Sequence, residues 1–258
     1  MIANTGRKPS GINRQALRIW ATVFLVAGIA GKSIIQNSIL GLGSVNGEQL
    51  LEMMNQNSSV MGMVTLALVV QAVEVCAVPL FVFMLVEGFK NTSDLKMYVL
   101  RVVGVALLAE IPYNLAVGGK FVDLQSRNPA VGLVLCMVMM YLYQRYEGKS
   151  IGKILIKILV TVAGALWTGI LGVEHGLSCV IICAALWFTW EKANLRTFIG
   201  CSASMCCCVA SPFYMAAPLS FLAIHFYNGE KGEENKWVNY LAYPVLLGMF
   251  ALASLVLM

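Results

Sequence analysis

Nine apolar stretches run the length of the chain, at 16–40, 60–86, 97–117, 129–145, 153–173, 176–190, 196–210, 212–227 and 237–257, each set off by a short polar or glycine-containing segment. A helix needs roughly 20 mostly apolar residues to cross about 30 Å of hydrocarbon. The pattern predicts an all-α fold, a polytopic transmembrane helical bundle of about nine spans. Lys32 interrupts the first stretch, so its buried part is expected to end near Gly31. The two short stretches flanking Ser211 and Pro212 also read as one re-entrant hairpin, which gives eight spans. Residues 32–59, with Gly41, Gly43, Gly47 and several Asn, form the one expected long outer loop, carrying a short amphipathic helix from Glu48 to Met54. The chain shows no internal repeat, so the inverted-repeat signature of many secondary transporters is missing.

Composition changes the picture only by removing alternatives. Hydrophobic residues make up 59% of 258 positions and charged residues 12%, against about 45–50% and about 25% in soluble domains. One membrane domain over 1–258 is expected, with residues 1–15 as a cytoplasmic tail. Arg7 to Arg18 followed by Gly28-Ile29-Ala30 also has the form of a signal peptide, but a chain that is membrane protein throughout needs no separate export signal. The net charge of +5 does not call for nucleic acid, because the basic residues form short clusters between apolar runs and face the surface of the lipid bilayer.

Those clusters set the orientation, since cytoplasmic loops are enriched in Lys and Arg. With the N-terminus inside, the inner side receives Arg7, Lys8, Arg14 and Arg18, then Lys90, Lys96 and Arg101, then Arg145, Lys149, Lys153 and Lys157, then Lys192 and Arg196, and finally Lys231 and Lys236. Only Lys32, Lys120 and Arg127 fall outside. Nine spans, a cytoplasmic N-terminus and an outer C-terminus give the best fit.

Most of the eight cysteines sit inside apolar runs, where they act as small apolar residues, and no metal site is expected. The stretch from Val26 to Ser33 is one glycine short of a phosphate loop, but it closes a membrane helix and follows no strand. Trp20, Trp187, Trp190 and Trp237 lie near helix ends, as an interfacial aromatic belt places them.

Ionisable groups inside spans are the sharper signal, because a charge at the bilayer centre costs several kcal/mol and marks function by default. Glu74 and Glu110 are the candidates, and Pro112 beside Glu110 would kink its helix and free a carbonyl. Glu87 matches Arg101 in depth, so the two read either as an ion pair locking two helices or as a binding pair. His175 follows Glu174 in a short outer turn, a pair suited to acid and base roles and equally to a solvated turn. His225 lies near the inner surface, where an amphipathic ring is at home without chemistry.

The segment Val78-Pro79-Leu80-Phe81-Val82-Phe83-Met84-Leu85-Val86-Glu87-Gly88-Phe89, followed by Tyr98-Val99-Leu100-Arg101 and Glu110-Ile111-Pro112-Tyr113-Asn114-Leu115-Ala116, resembles the TraX family. Asn228-Gly229-Glu230-Lys231-Gly232 and Tyr240-Leu241-Ala242-Tyr243-Pro244 are similar to later motifs of that family. The resemblance implies a multi-pass protein of a bacterial plasma membrane, of a family named for N-acetylation of conjugative pilin and similar to membrane acyltransferases that use acetyl-CoA. It implies acetyl-CoA as co-substrate and a protein N-terminus or an envelope glycan as acceptor. Glu87, Arg101, Glu74 and Asn114 are the binding residues it suggests, with Arg101 holding an anionic group such as a CoA phosphate.

The sequence departs from the family at three places. Ala27-Gly28-Ile29-Ala30 stands where the family has Asp-His-Ile-Gly, Val75 where an Arg is usual, and Tyr243-Pro244-Val245-Leu246 where a His follows Tyr-Pro. Catalysis is therefore expected to fall to Glu110, His175 or His225, or to have been lost. Two other classes remain open: a proton- or cation-coupled transporter component working through Glu74 and Glu110, and a non-catalytic membrane assembly protein.

Overall fold

The computed structural model describes residues 11–39, 52–55, 57–123, 126–232 and 236–257. Helices α1 (Arg14–Ala30), α2 (Ser58–Glu74), α3 (Ala77–Asn91), α4 (Leu95–Tyr113) and α5 (Pro129–Arg145) are followed by α6 (Ile151–Ile170), α7 (Gly176–Thr189), α8 (Ala193–Cys206), α9 (Ser220–His225) and α10 (Lys236–Leu257). No strand occurs among the described residues. Side-chain caps fix several starts: Asn13, Asn57, Asp94 and Asn128 each accept a hydrogen bond from a first-turn amide, and Pro129 follows Asn128 at a position where its missing N–H costs nothing.

The fold is all-α, and its helices are of membrane type. Arg14–Gln36, the bent pair Ser58–Asn91, Leu95–Gly118 and Ile151–Ile170 are long and apolar enough to cross a bilayer, and Pro129–Arg145, Gly176–Thr189 and Tyr240–Ala253 are shorter apolar helices. Burial sorts these helices into inner and outer. Leu80, Phe83 and Val86 of α3, Cys136 and Met140 of α5, and Val180, Ile182 and Leu186 of α7 form the centre of the core. On α6 only Thr168 is buried, while Leu155, Leu159, Leu166 and Ile170 face outward. An apolar outer face is stable against lipid tails, which are as apolar as Leu.

Two breaks place the functional side chains. Pro79 has no N–H to offer the carbonyl of Val75, and its ring crowds that carbonyl. The helix accordingly interrupts between α2 and α3, leaving Glu74 at the end of α2 beside the break. Cys76 is held there by Ser220 Oγ, which donates to its carbonyl at 2.6 Å, while its own thiol points to the Ala216 carbonyl at 3.2 Å. The second break is the turn from α6 to α7. Arg127 N donates to the Gly172 carbonyl at 2.8 Å and Glu174 N to the Arg127 carbonyl at 3.0 Å, pinning Glu174 and His175 to the segment leading into α5.

The first apolar stretch does not end at Gly31. Helix α1 runs on without interruption as a π-helix over Gly31–Ile39, and Lys32, expected in an outer loop, is 7% exposed. The reason is pairing: two carboxylates from distant segments meet its ammonium. A π-turn lets the helix absorb a residue that must be aimed at a partner. The stretch that imitates a phosphate loop is helical throughout. Of the amphipathic helix expected over 48–54, residues 52–54 are helical and 48–51 lie outside the described residues. After α8 the chain turns in three 3-10 segments, Cys207–Val209, Pro212–Met215 and Ala217–Leu219, before the single turn and a half of α9.

Candidate functional site

Four segments that are far apart in sequence converge on one buried charged cluster. Lys32 Nζ donates to Glu74 Oε1 at 2.9 Å and also to Glu174 Oε1. The Tyr113 hydroxyl donates to Glu174 Oε2. His175 Nε2 lies 3.8 Å from Glu74 Oε1 and 4.0 Å from Glu174 Oε1, with no hydrogen-bond partner of its own. The Glu74 side chain is 3% exposed, and the Lys32 ammonium meets its Oε1 while Oε2 is buried without a hydrogen-bond partner.

Close backbone packing makes room for Glu74. A Cβ on Gly28 would fall 2.3 Å from Glu74 Cγ and Cδ, so only glycine lets α1 and α2 approach at this level. His175 is held in a left-handed backbone conformation, φ 57°, unlike any other described non-glycine residue. Such conformations cost energy and concentrate at functional sites. The ring meets Tyr214 edge to face at 5.8 Å.

Electrostatics at Glu174 is a contest between burial and neighbouring charge. Burial pushes its carboxyl up, but the Lys32 ammonium, aided by His175 and by the donated bonds from Lys32 and Tyr113, outweighs that and holds it at about 2, below the ordinary 4.5. Glu74, Glu174 and His175 offer ligand atoms within 4.8 Å of one another, a donor set of the kind a divalent cation takes. In this chain the Lys32 ammonium lies between the two carboxylates and supplies the positive charge.

A cavity of about 810 Å³ leads to this cluster. At one end of the bundle it is lined by Arg14, Arg18, Arg101 and Lys231, with Asp94 the nearby acid. Its walls are apolar, including Val26, Val78, Phe81, Met84, Val102 and Leu133, and Glu74, His175 and Tyr243 close the far end. Arg14, Arg18, Thr22, Val26 and Ile29 form a continuous stripe of α1 along it, and Arg14 to Ile29 at 1.5 Å per residue spans about 22 Å.

The residues singled out from the sequence are thus distributed over several places. Glu74 and His175 meet at the end of the cavity. Arg101 lines its cationic end, with its guanidinium 5.9 Å from the centre of the Tyr240 ring. Glu87 does not pair with Arg101: its partners are Arg14, at 3.7 Å, and the Tyr227 hydroxyl, which tie α3 to the start of α1 and to the loop after α9. Glu110 pairs with Arg127 at 3.4 Å and accepts from Asn128, outside the cavity lining. Asn114 is buried at the start of a π-turn, also away from the cavity lining. His225 is exposed, with Nδ1 3.1 Å from the Thr197 hydroxyl.

Sequence reasoning missed Lys32, Tyr113, Tyr243 and Arg14. Lys32 is the basic residue that lies well inside the first apolar stretch, beyond Arg18 near its start, which is the signal that could have marked it as paired. Arg127 likewise counted as a stray outer charge, yet it is the partner of Glu110.

A family model described as TraX protein matches residues 48–254. No curated protein and no solved structure matches the chain.

Proposed function

Because the chain belongs to the TraX family, we propose that it is an integral membrane acyltransferase that takes an acyl group from acetyl-CoA and passes it to an amine or hydroxyl. The observation that carries this reading is a cavity with four cationic side chains at one end and Glu74 and His175 at the other. A CoA thioester has that polarity: anionic phosphates, a long narrow arm and a reactive carbonyl at the tip. Arg14, Arg18, Arg101 and Lys231 suit the phosphates, since guanidinium and ammonium groups bind them by charge-assisted hydrogen bonds. The part of the α1 stripe beyond the arginines, about 16 Å from Arg18 to Ile29, suits the arm.

The departure from the family in the first span has a physical counterpart. Where the family carries Asp-His, this chain carries Ala27-Gly28, and the space beside Gly28 is filled by Glu74. His175 approaches the same carboxylate from the α6–α7 turn. In this reading a base lost from α1 is supplied by the turn between α6 and α7. The His175 imidazole takes the proton of the attacking amine or hydroxyl as its bond to the acyl carbon forms, the carbon–sulfur bond breaks, and the CoA thiolate recovers the proton. Glu74 faces the imidazole, and the Lys32 ammonium donates to the same carboxylate oxygen.

The orientation we propose has nine crossings and the N-terminus in the cytoplasm of a plasma membrane. The cationic end then faces cytoplasmic acetyl-CoA, and the His175 end faces an acceptor arriving from the outer side, either a protein N-terminus or an envelope glycan.

Calorimetric titration of the detergent-purified protein with acetyl-CoA tests the reading, beside Arg101→Ala. Saturable binding, weakened about tenfold or more in the variant by loss of a charge-assisted phosphate contact, is the expected result. No binding up to millimolar ligand overturns it.

A further inference from the structure

Two tyrosines lie side by side at the closed end of the cavity, and only one has a partner. Tyr113 and Tyr243 pack in one cluster with Ile29, Ala109 and Leu247. The Tyr113 hydroxyl is satisfied by Glu174. The Tyr243 hydroxyl is buried with no hydrogen-bond partner, although its residue lines the cavity together with Glu74 and His175. It also lies within electrostatic reach of Glu174, Glu74 and Glu110.

A buried hydroxyl left unpaired costs free energy, and native interiors rarely keep one without a use. Its carrier here is a helical face: Tyr240, Tyr243 and Leu246 all line the cavity from α10. Pro244 cannot donate to the Tyr240 carbonyl, which loosens α10 beside this residue. A phenolic hydroxyl gives one hydrogen bond to an acceptor oxygen. A ligand that enters this end of the cavity brings such an oxygen, on the same side as the imidazole that takes up a proton.

We infer that the Tyr243 hydroxyl is the donor that binds the acyl carbonyl oxygen of the thioester and holds the negative charge that develops there during transfer. This rests on the acyltransferase reading of the cavity. When the attacking atom bonds to the acyl carbon, the carbonyl electron pair moves onto oxygen, Tyr243 donates its hydrogen bond to that oxygen, and the pair returns as the carbon–sulfur bond breaks. Removing one such donor lowers the rate about 10²- to 10³-fold in acyl-transfer enzymes.

Binding provides a test that does not need the acceptor. Acetyl-CoA and S-ethyl-CoA, the thioether with a methylene in place of the carbonyl, are titrated into wild type and Tyr243→Phe, with thermal unfolding measured on both proteins. Wild type is expected to bind acetyl-CoA about tenfold tighter than the thioether, the value of one hydrogen bond. Tyr243→Phe is expected to bind the two equally, to keep the thioether affinity, and to unfold no earlier than wild type. Equal affinity for both ligands in wild type, a preference that survives in Tyr243→Phe, or a sharp fall in its unfolding temperature each overturns the inference while the CoA site stands. Failure of wild type to bind either ligand removes the acyltransferase reading itself, and the assignment with it.

Discussion

Gly28 and Glu74 occupy the same space between α1 and α2: a Cβ on residue 28 would sit 2.3 Å from Glu74 Cγ. The carboxylate that anchors the buried cluster is therefore inserted over the bare backbone of a neighbouring helix. Gly28→Ala is expected to destabilise the protein by about 1–3 kcal/mol through overpacking. Combined with Glu74→Ala the penalty should shrink, because the alanine then enters vacated space. A double-mutant cycle of unfolding in detergent measures the coupling, and strictly additive effects would contradict the contact.

Lys32 supplies the positive charge between two carboxylates. Lys32→Met leaves the buried Glu74 and the partly buried Glu174 without their cation, and breaking a buried pair costs about 3–5 kcal/mol. Chemical or thermal unfolding should show a loss of that order. A loss as small as that of a surface lysine would mean that the cluster is not the buried network described.

The low carboxyl of Glu174 gives a pH signature. Its folded value, about 2, lies below the ordinary 4.5, so the stability it contributes is fully present above 4.5 and disappears as pH falls through that window. Wild type should outlast Glu174→Gln in unfolding scans at neutral pH. The two should converge between pH 4.5 and 2, and a gap that persists at the lowest pH would exclude the ionised pair as its source.

Glu110 and His175 should respond in opposite ways. The Glu110–Arg127 pair is partly exposed, 20% and 32%, so Glu110→Gln is expected to cost no more than about 1 kcal/mol and to leave acetyl-CoA affinity unchanged. His175→Gln should also leave acetyl-CoA affinity unchanged but slow acyl transfer about 10²- to 10⁴-fold. Activity lost with Glu110 and kept without His175 would assign the base to the other residue.

Period and charge in the sequence were sufficient for the helical, membrane-type fold, because an apolar run near 20 residues has few other stable forms and backbone groups in lipid must pair within the helix. They also marked Glu74 and His175, since a carboxylate in an apolar run and a histidine in a short turn stand out locally. The partners were not legible. Lys32 meets Glu74 and Glu174 across 42 and 142 residues, and no local pattern encodes which of several charges will share a buried site. Arg101 was expected opposite Glu87 from equal depth alone, but depth leaves the angle around each helix open, and packing gave that place to Arg14.

The chain by itself determined that it forms apolar helices, where Pro79 would interrupt one of them, and which ionisable residues would be costly to bury. Only the tertiary structure decided that Glu74 fills the space beside Gly28, that Lys32 is buried rather than looped out, and that Tyr243 faces the same cavity as His175. Those outcomes depend on how whole helices approach and rotate against one another, a balance of packing and desolvation that no single stretch of sequence contains.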